Sequence, residues 1–211
     1  YLLPPLFLLV IFTTSTSYAK KAAIVIDFET KEVLFEVNAN TKNYPASLTK
    51  IMTLYILFDR LEKKQITNQT KLKVSRIAAS RSPSKLYLEE GSTIKVEDAI
   101  MALIIKSAND VATVVAENIS GTEKDFAKLM TSYARNLGMT STTFKNASGL
   151  PNRAQLTTAR DISILSHALI SNFPKQYKLF NTQKFTYKGK TYKTHNKLML
   201  SYEGADGIKT G

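Results

Sequence analysis

Tyr44-Pro45-Ala46-Ser47-Leu48-Thr49-Lys50-Ile51-Met52-Thr53-Leu54-Tyr55-Ile56-Leu57-Phe58 is the stretch from which the rest of this chain is read. Pro45 interrupts the backbone just before Ser47, and the segment beyond it is apolar at Leu48, Ile51, Met52, Leu54, Tyr55, Ile56, Leu57 and Phe58. A helix that is apolar on nearly every side is a buried one. The spacing therefore predicts a central helix that begins at Ser47 and frays into solvent at Arg60-Leu61-Glu62-Lys63-Lys64. Ser47 and Lys50 fall three residues apart in its first turn, so their side chains share one face.

Outward from this helix, Ala22-Ala23-Ile24-Val25-Ile26 and Glu32-Val33-Leu34-Phe35-Glu36-Val37 flank the turn residues Asp27-Phe28-Glu29-Thr30-Lys31 and predict a β-hairpin. Residues 65–95 alternate short extended pieces with polar ones and read as a peripheral excursion. A helical pattern runs over 97–105, breaks at Lys106-Ser107-Ala108-Asn109, and resumes over 110–120 with Gly121 as C-cap. Thr122 with Asp125, and Thr158 with Asp161, predict two further capped helices, ending near Leu137 and Ser171. Phe185-Thr186-Tyr187 and Lys190-Thr191-Tyr192 around Lys188-Gly189 predict a second hairpin, and Ile208-Lys209-Thr210-Gly211 reads as the opening of a strand. Strands at both ends with helices between them give an α+β class: an antiparallel sheet formed from both ends of the domain, with a helical subdomain beside it.

The composition narrows the chemistry. With 211 residues, 44% of them hydrophobic, the chain can bury one sizeable core. It has no cysteine, which excludes disulfides, thiolate metal sites and a cysteine nucleophile. Two histidines, His167 and His195, are too few for a histidine-rich zinc site, so neither metal nor cofactor is expected. The net charge of +12 comes from basic residues scattered along the chain without the aromatic interleaving of a nucleic-acid module. No nucleic-acid partner is expected; an anionic phospholipid or wall polymer suits the charge.

Both ends predict a longer protein. An apolar run over residues 2–12, the small polar string Thr13-Thr14-Ser15-Thr16-Ser17 and the A-x-A-like Ser17-Tyr18-Ala19 read as the rear of a secretory signal peptide over 1–19, its amino end incomplete. Such a run is too short for a bilayer span, which takes roughly 20 residues. Residues 20–211 are then the mature domain, exported to a bacterial envelope, with its carboxyl-terminal part missing.

Three short strings carry the chemistry: Ser47-Leu48-Thr49-Lys50, Ser107-Ala108-Asn109 and Lys209-Thr210-Gly211, separated by 60 and 102 residues from first to second and second to third. A serine hydroxyl needs a base to take its proton and donors to stabilise the oxyanion that forms. Lys50 in a dry pocket near a second cation, Lys209, would have a lowered pKa and could be that base. Ser107 is the candidate proton relay. Asn109, Lys209, Thr210 and Gly211 are the candidate substrate clamp, the last because it lets a substrate lie close to the strand. Taken singly each string is weak: S-x-x-K is common, Ser-x-Asn is an ordinary helix cap, and Lys-Thr-Gly suits an exposed turn. Together, in this order and on these elements, they point to acyl transfer.

The set resembles the S-x-x-K, S-x-N and K-T-G motifs of the penicillin-recognising serine enzymes. With Tyr44–Thr53, Lys106-Ser107-Ala108-Asn109-Asp110-Val111-Ala112, Asn146-Ala147-Ser148-Gly149-Leu150-Pro151 and Thr158-Ala159-Arg160-Asp161, the chain from about residue 20 to 211 is similar to the D-alanyl-D-alanine carboxypeptidases among the low-molecular-mass penicillin-binding proteins. The resemblance implies a β-lactamase/transpeptidase-like fold and removal of the terminal D-alanine from peptidoglycan pentapeptides through an acyl-Ser47 intermediate. It also implies acylation by β-lactams and membrane association through a missing carboxyl-terminal segment. One oxyanion donor of that family lies just after K-T-G, beyond Gly211, which implies poor activity for residues 1–211 alone. A D,D-endopeptidase shares the same core. A β-lactamase would need a glutamate to activate water, and Glu117, Glu123 and Glu203 offer no obvious loop for it. A non-catalytic envelope protein that binds penicillin or wall peptides would not need Ser47, Lys50 and Ser107 all in place.

Overall fold

The computed structural model describes residues 21–211, so the leader predicted over 1–19 lies outside the described residues. The order is β1 (Ala23–Ile26), β2 (Val33–Val37), α1 (Thr49–Glu62), β3 (Lys71–Lys73), α2 (Arg76–Ala79), β4 (Thr93–Lys95), α3 (Val96–Met101), α4 (Asn109–Ser120), α5 (Glu123–Asn136), α6 (Ala159–Asn172), α7 (Pro174–Tyr177), β5 (Lys184–Tyr187), β6 (Lys190–Lys193) and α8 (Leu198–Ser201). The α+β class predicted from the sequence holds.

Helix α1 is the centre. Every residue from Thr49 to Phe58 is buried, because α4, α5 and α6 all pack around it. Edge-to-face contacts of Tyr55 and Phe58 with Phe173, and of Phe58 with Phe180, close its far end. The predicted caps form: the Thr122 hydroxyl accepts from the Asp125 amide and the Thr158 hydroxyl from the Asp161 amide, each at 3.0 Å. Gly121, at φ +76°, ends α4 as the C-cap.

Three features of the chain before α4 differ from the sequence expectation. The central helix starts at Thr49, and Ser47 sits in a separate 3-10 turn over Ala46–Leu48. The helix predicted over 97–105 is α3 followed by a π-helical turn, Ala102–Lys106, which ends on Ser107 in the left-handed conformation (φ 57°, ψ 39°). Residues 65–95 are more than an excursion: Leu72, Val74, Leu86, Leu88 and Ile94 are buried in the main core. The buried Asp110 carboxylate accepts from the Leu86 and Leu88 amides at 3.1 and 3.2 Å, tying this segment to the start of α4.

The sheet is represented by its amino-terminal hairpin. β1 pairs with β2 antiparallel, Ala23 opposite Val37, and the other strands form two further two-stranded sheets, β3–β4 and β5–β6. Ile208-Lys209-Thr210-Gly211, read from the sequence as the opening of a strand, joins no ladder among the described residues. A strand is defined by a partner's N–H and C=O groups, and none of the described strands aligns with this segment. β1 rests on α6, and Arg160 of α6 reaches Glu36 of β2 and Asn40. Leu34 and Phe35 of β2 remain 60% and 55% exposed. Between β1 and α6 lies an apolar cavity of about 560 Å³, lined among others by Ile24, Ile26, Phe28, Leu48, Ile162 and Ile170.

Candidate active site

Ser47 and Lys50 are presented by the junction between the 3-10 turn and α1. Lys50 is 0% exposed and ranks beside Phe58 and Phe126 among the largest fully buried side chains. Its Nζ lies 3.3 Å from Ser47 Oγ, 2.8 Å from Asn109 Oδ1 and 2.5 Å from the Ser148 carbonyl. Burial lowers its pKa from 10.5 to about 7, and the neighbouring Lys209 charge adds to the shift.

That geometry accommodates the ammonium and the neutral amine alike, and burial shifts the balance toward the neutral form. An ammonium has three N–H donors, whereas the free amine has two and a lone pair. The Asn109 amide oxygen and the Ser148 carbonyl are pure acceptors and take the two N–H groups. In the ammonium the third N–H donates to Ser47 Oγ; in the neutral amine the lone pair faces that hydroxyl, which can donate to it. Of the three neighbours only Ser47 is able to give a proton.

Asn109 occupies a different role from the one expected of it. Its Oδ1 accepts from Lys50, and its Nδ2 donates to the Ser82 and Pro83 carbonyls at 3.1 and 3.2 Å. Both ends of the amide are engaged inside the protein, its oxygen on Lys50 and its nitrogen on the two carbonyls. Ser107, two residues earlier, is buried, and its hydroxyl has no hydrogen-bond partner among the described residues. An unpartnered buried hydroxyl calls for an explanation, and one placed beside the residue that accepts from Lys50 suits a proton relay.

Lys209 is partly buried, which lowers its pKa to about 8, and it lies close enough to Lys50 to raise that neighbour's cost of charging. Partial burial, together with Lys106 and Lys209, holds His195 below its ordinary value. Lys50, Lys106, Lys209 and His195 therefore lie near one another, with no salt bridge from any of them to a carboxylate among the described residues, a field that attracts an anionic group. Thr210 adjoins Lys209, whose ammonium donates to the Thr210 carbonyl at 2.9 Å. Gly211 lies against α1's amino end: an added Cβ would come within 3.0 Å of the Leu48 side chain. The three strings are thus gathered at one place, from residues as far apart as Ser47 and Gly211.

Several contributors escaped the sequence reading. Residues 146–149 form a loop locked by Asn146, whose Oδ1 accepts from the Ser148 and Gly149 amides at 3.2 and 2.7 Å. The loop supplies the Ser148 carbonyl to Lys50 and the Ala147 carbonyl to the Thr53 hydroxyl, the latter at 2.7 Å. Gly149, at φ +88°, passes so near the Ser47 turn that an added Cβ would stand 1.8 Å from the Ala46 carbonyl oxygen. The run Asn146-Ala147-Ser148-Gly149 is turn chemistry by composition, which signals a loop but not its destination. Glu123, one of the three glutamates considered for activating water, is held instead by Arg81, by the Thr113 hydroxyl at 3.4 Å and by the Ala147 amide at 3.1 Å.

The sequence profile of the D-alanyl-D-alanine carboxypeptidases, peptidase family S11, matches residues 11–211. The chain is 35% identical over 207 residues to the D-alanyl-D-alanine carboxypeptidase DacF of Bacillus subtilis, covering 94% of this chain and 52% of that protein. Among solved structures it superposes with a TM-score of 0.86 on the D-alanyl-D-alanine carboxypeptidase DacD from Francisella tularensis, at 27% identity, covering 98% of this chain and 63% of that one. Penicillin-binding protein D2 from Listeria monocytogenes in its ampicillin-bound form gives 0.81 at 34% identity, covering 90% and 78%. The chain spans about half the length of the curated relatives it matches. With a family profile spanning nearly all of it and the S-x-x-K, S-x-N and K-T-G strings assembled in space, this chain belongs to the D-alanyl-D-alanine carboxypeptidase family.

Proposed function

We propose that the protein is a serine-type D-Ala-D-Ala carboxypeptidase that removes the terminal D-alanine from peptidoglycan stem pentapeptides and is acylated by β-lactams at the same serine. The observation that carries this reading is the Lys50 amine, buried, with a pKa near 7, 3.3 Å from Ser47 Oγ and with its N–H groups turned to acceptors. Neutral Lys50 takes the Ser47 proton as Oγ attacks the carbonyl carbon of the penultimate residue. Collapse of the tetrahedral intermediate breaks the C–N bond; the lysine's extra proton passes through Ser107 to the departing D-alanine nitrogen. Water, deprotonated by the same amine, then hydrolyses the acyl-Ser47 ester. Lys209 and Thr210 hold the substrate's terminal carboxylate, the anionic group that the converging cations favour.

The relatives support the reading by name, and the D2 structure supports β-lactam acylation by the ampicillin it holds. Such a substrate lies in the bacterial envelope, which agrees with the leader read over residues 1–19; membrane association would come from outside the described residues, in which no helix is long and apolar enough to cross a membrane. Of the glutamates weighed for a β-lactamase, Glu123 has both oxygens engaged elsewhere, which counts against it as the water-activating carboxylate.

The test is intact-mass spectrometry of the full-length protein incubated with benzylpenicillin. We expect a mass increase of one ligand that disappears in Ser47→Ala, and release of D-alanine from a pentapeptide by the unmodified enzyme. An unmodified mass on folded protein would put a non-catalytic binding role first.

A further inference from the structure

Glu123 opens α5, yet its carboxylate does not face solvent as a first-turn acid ordinarily does. Oε1 accepts from the Ala147 amide at 3.1 Å and from the Thr113 hydroxyl at 3.4 Å, while Oε2 pairs with Arg81. The residue thereby links α5, α4, the segment after α2 and the 146–149 loop. Ala147 is the pivot. Its amide is held by Glu123, its carbonyl by the Thr53 hydroxyl of α1 at 2.7 Å, and the next carbonyl, that of Ser148, meets Lys50 Nζ at 2.5 Å.

From this chain of contacts we propose that Glu123 is a positioning residue for the reaction: through the Ala147 amide it holds the 146–149 loop in the register that delivers the Ser148 carbonyl to Lys50. The inference rests on the proposed function above. Its physical basis is that a backbone carbonyl can face a buried amine only if its loop is fixed from the other side. Asn146 and Gln155 fix the loop to itself, with Gln155 Oε1 accepting from the Lys145 and Asn146 amides at 3.0 and 3.1 Å. Glu123 and Thr53 fasten it to the helices that carry the site. Without the carboxylate the Ala147 amide is left buried and unpaired, and the loop gains freedom to turn that amide elsewhere.

The groups facing Lys50 give the test its sign. They are the Ser148 carbonyl, Asn109 Oδ1, Ser47 Oγ and the charge of Lys209. The two acceptors favour the ammonium, so withdrawing the Ser148 carbonyl makes protonation harder and moves the acid limb of the acylation rate to lower pH. A 1 Å misplacement of catalytic groups costs up to about 100-fold in rate.

The experiment measures second-order acylation of the full-length protein by benzylpenicillin from pH 5 to 9 for wild type, Glu123→Ala, Glu123→Gln and Thr53→Val. Gln keeps an oxygen for the Ala147 amide and gives up the ion pair and hydrogen bond to Arg81, which then faces an NH2 group. Support would be a roughly 10- to 100-fold slower Glu123→Ala with its acid limb at lower pH, near-complete rescue in Glu123→Gln, and the same direction of limb shift in Thr53→Val. Should Glu123→Ala fail to fold, the limb in Thr53→Val and the rescued rate in Glu123→Gln decide alone. A Glu123→Ala protein with the wild-type rate and profile, or slowed with an unmoved limb, overturns the proposal, as does an unmoved limb in Thr53→Val. Wild type that takes no adduct would instead sink the proposed function, so the two failures are told apart.

Discussion

At the scale of single residues, the behaviour of the site is governed by the cost of charging Lys50. Folded, the amine titrates near 7; unfolded, it titrates near its ordinary 10.5. Between those values the unfolded chain binds more protons than the folded one, so stability rises with pH through that window. The penalty for burying this lysine is fully present below pH 7 and fades toward 10.5. Comparing wild type with Lys50→Met by urea unfolding should show wild type gaining on the variant as pH rises from 7 to 10, with parallel curves below 7. Equal slopes throughout would mean that Lys50 is charged when folded. On the proposed mechanism the same titration sets the sign for catalysis: acylation uses the free amine, so its rate should climb through an acid limb near pH 7 and vanish in Lys50→Met at every pH.

Among elements, the 146–149 loop and the Ser47 turn are built as a matched pair. Gly149 has the positive φ that a side chain resists and no room for a Cβ, because the Ala46 carbonyl already occupies that space. Gly149→Ala should therefore cost about 1–3 kcal/mol for the backbone conformation alone and should also push the Ser47 turn away from Lys50. We expect a lowered Tm together with loss of benzylpenicillin acylation. A variant that keeps wild-type acylation would show that the turn and the loop move independently. This pairing explains what was hard to read in the chain. The Ser47–Lys50 spacing lies within a single turn, so local geometry alone brings those side chains together. The contacts of Lys50 with Asn109 and Ser148 cross 59 and 98 residues, and no local period records them. Residues 80–90 show the same difficulty: the Ser82 and Pro83 carbonyls that hold Asn109 belong to a stretch without apolar periodicity, held in place by distant partners such as Asp110, which anchors the Leu86 and Leu88 amides.

For the molecule as a whole, the helical part and the hairpin differ in how they are buried. Helices α1, α4, α5 and α6 enclose a continuous core, whereas β2 is exposed along its whole length, with Val33, Leu34, Phe35 and Val37 open to solvent. Contiguous exposed apolar side chains of this kind promote self-association. Residues 21–211 prepared alone should bind a hydrophobic dye and sediment as oligomers, and Leu34→Lys with Phe35→Lys should return them toward monomer while leaving the far-UV spectrum unchanged. Dye binding that is indifferent to those substitutions would place the sticky surface elsewhere, for instance in the cavity between β1 and α6.

Read alone, the sequence determined what local chemistry encodes: the buried α1, the capped starts at Thr122 and Thr158, the two hairpins, and the three strings that propose a nucleophile, its base and a second lysine, Lys209. Each of these depends on residues within a few positions of one another, where helix period, cap preference and turn chemistry act directly. The tertiary structure alone decided that the Asn109 amide is engaged inside the protein and that the Ser148 carbonyl is the amine's second acceptor. It also decided that Glu123 turns inward onto the Ala147 amide. Those outcomes depend on which distant segments share one small, dry volume, and there the requirement that every buried polar group find a partner selects the contacts.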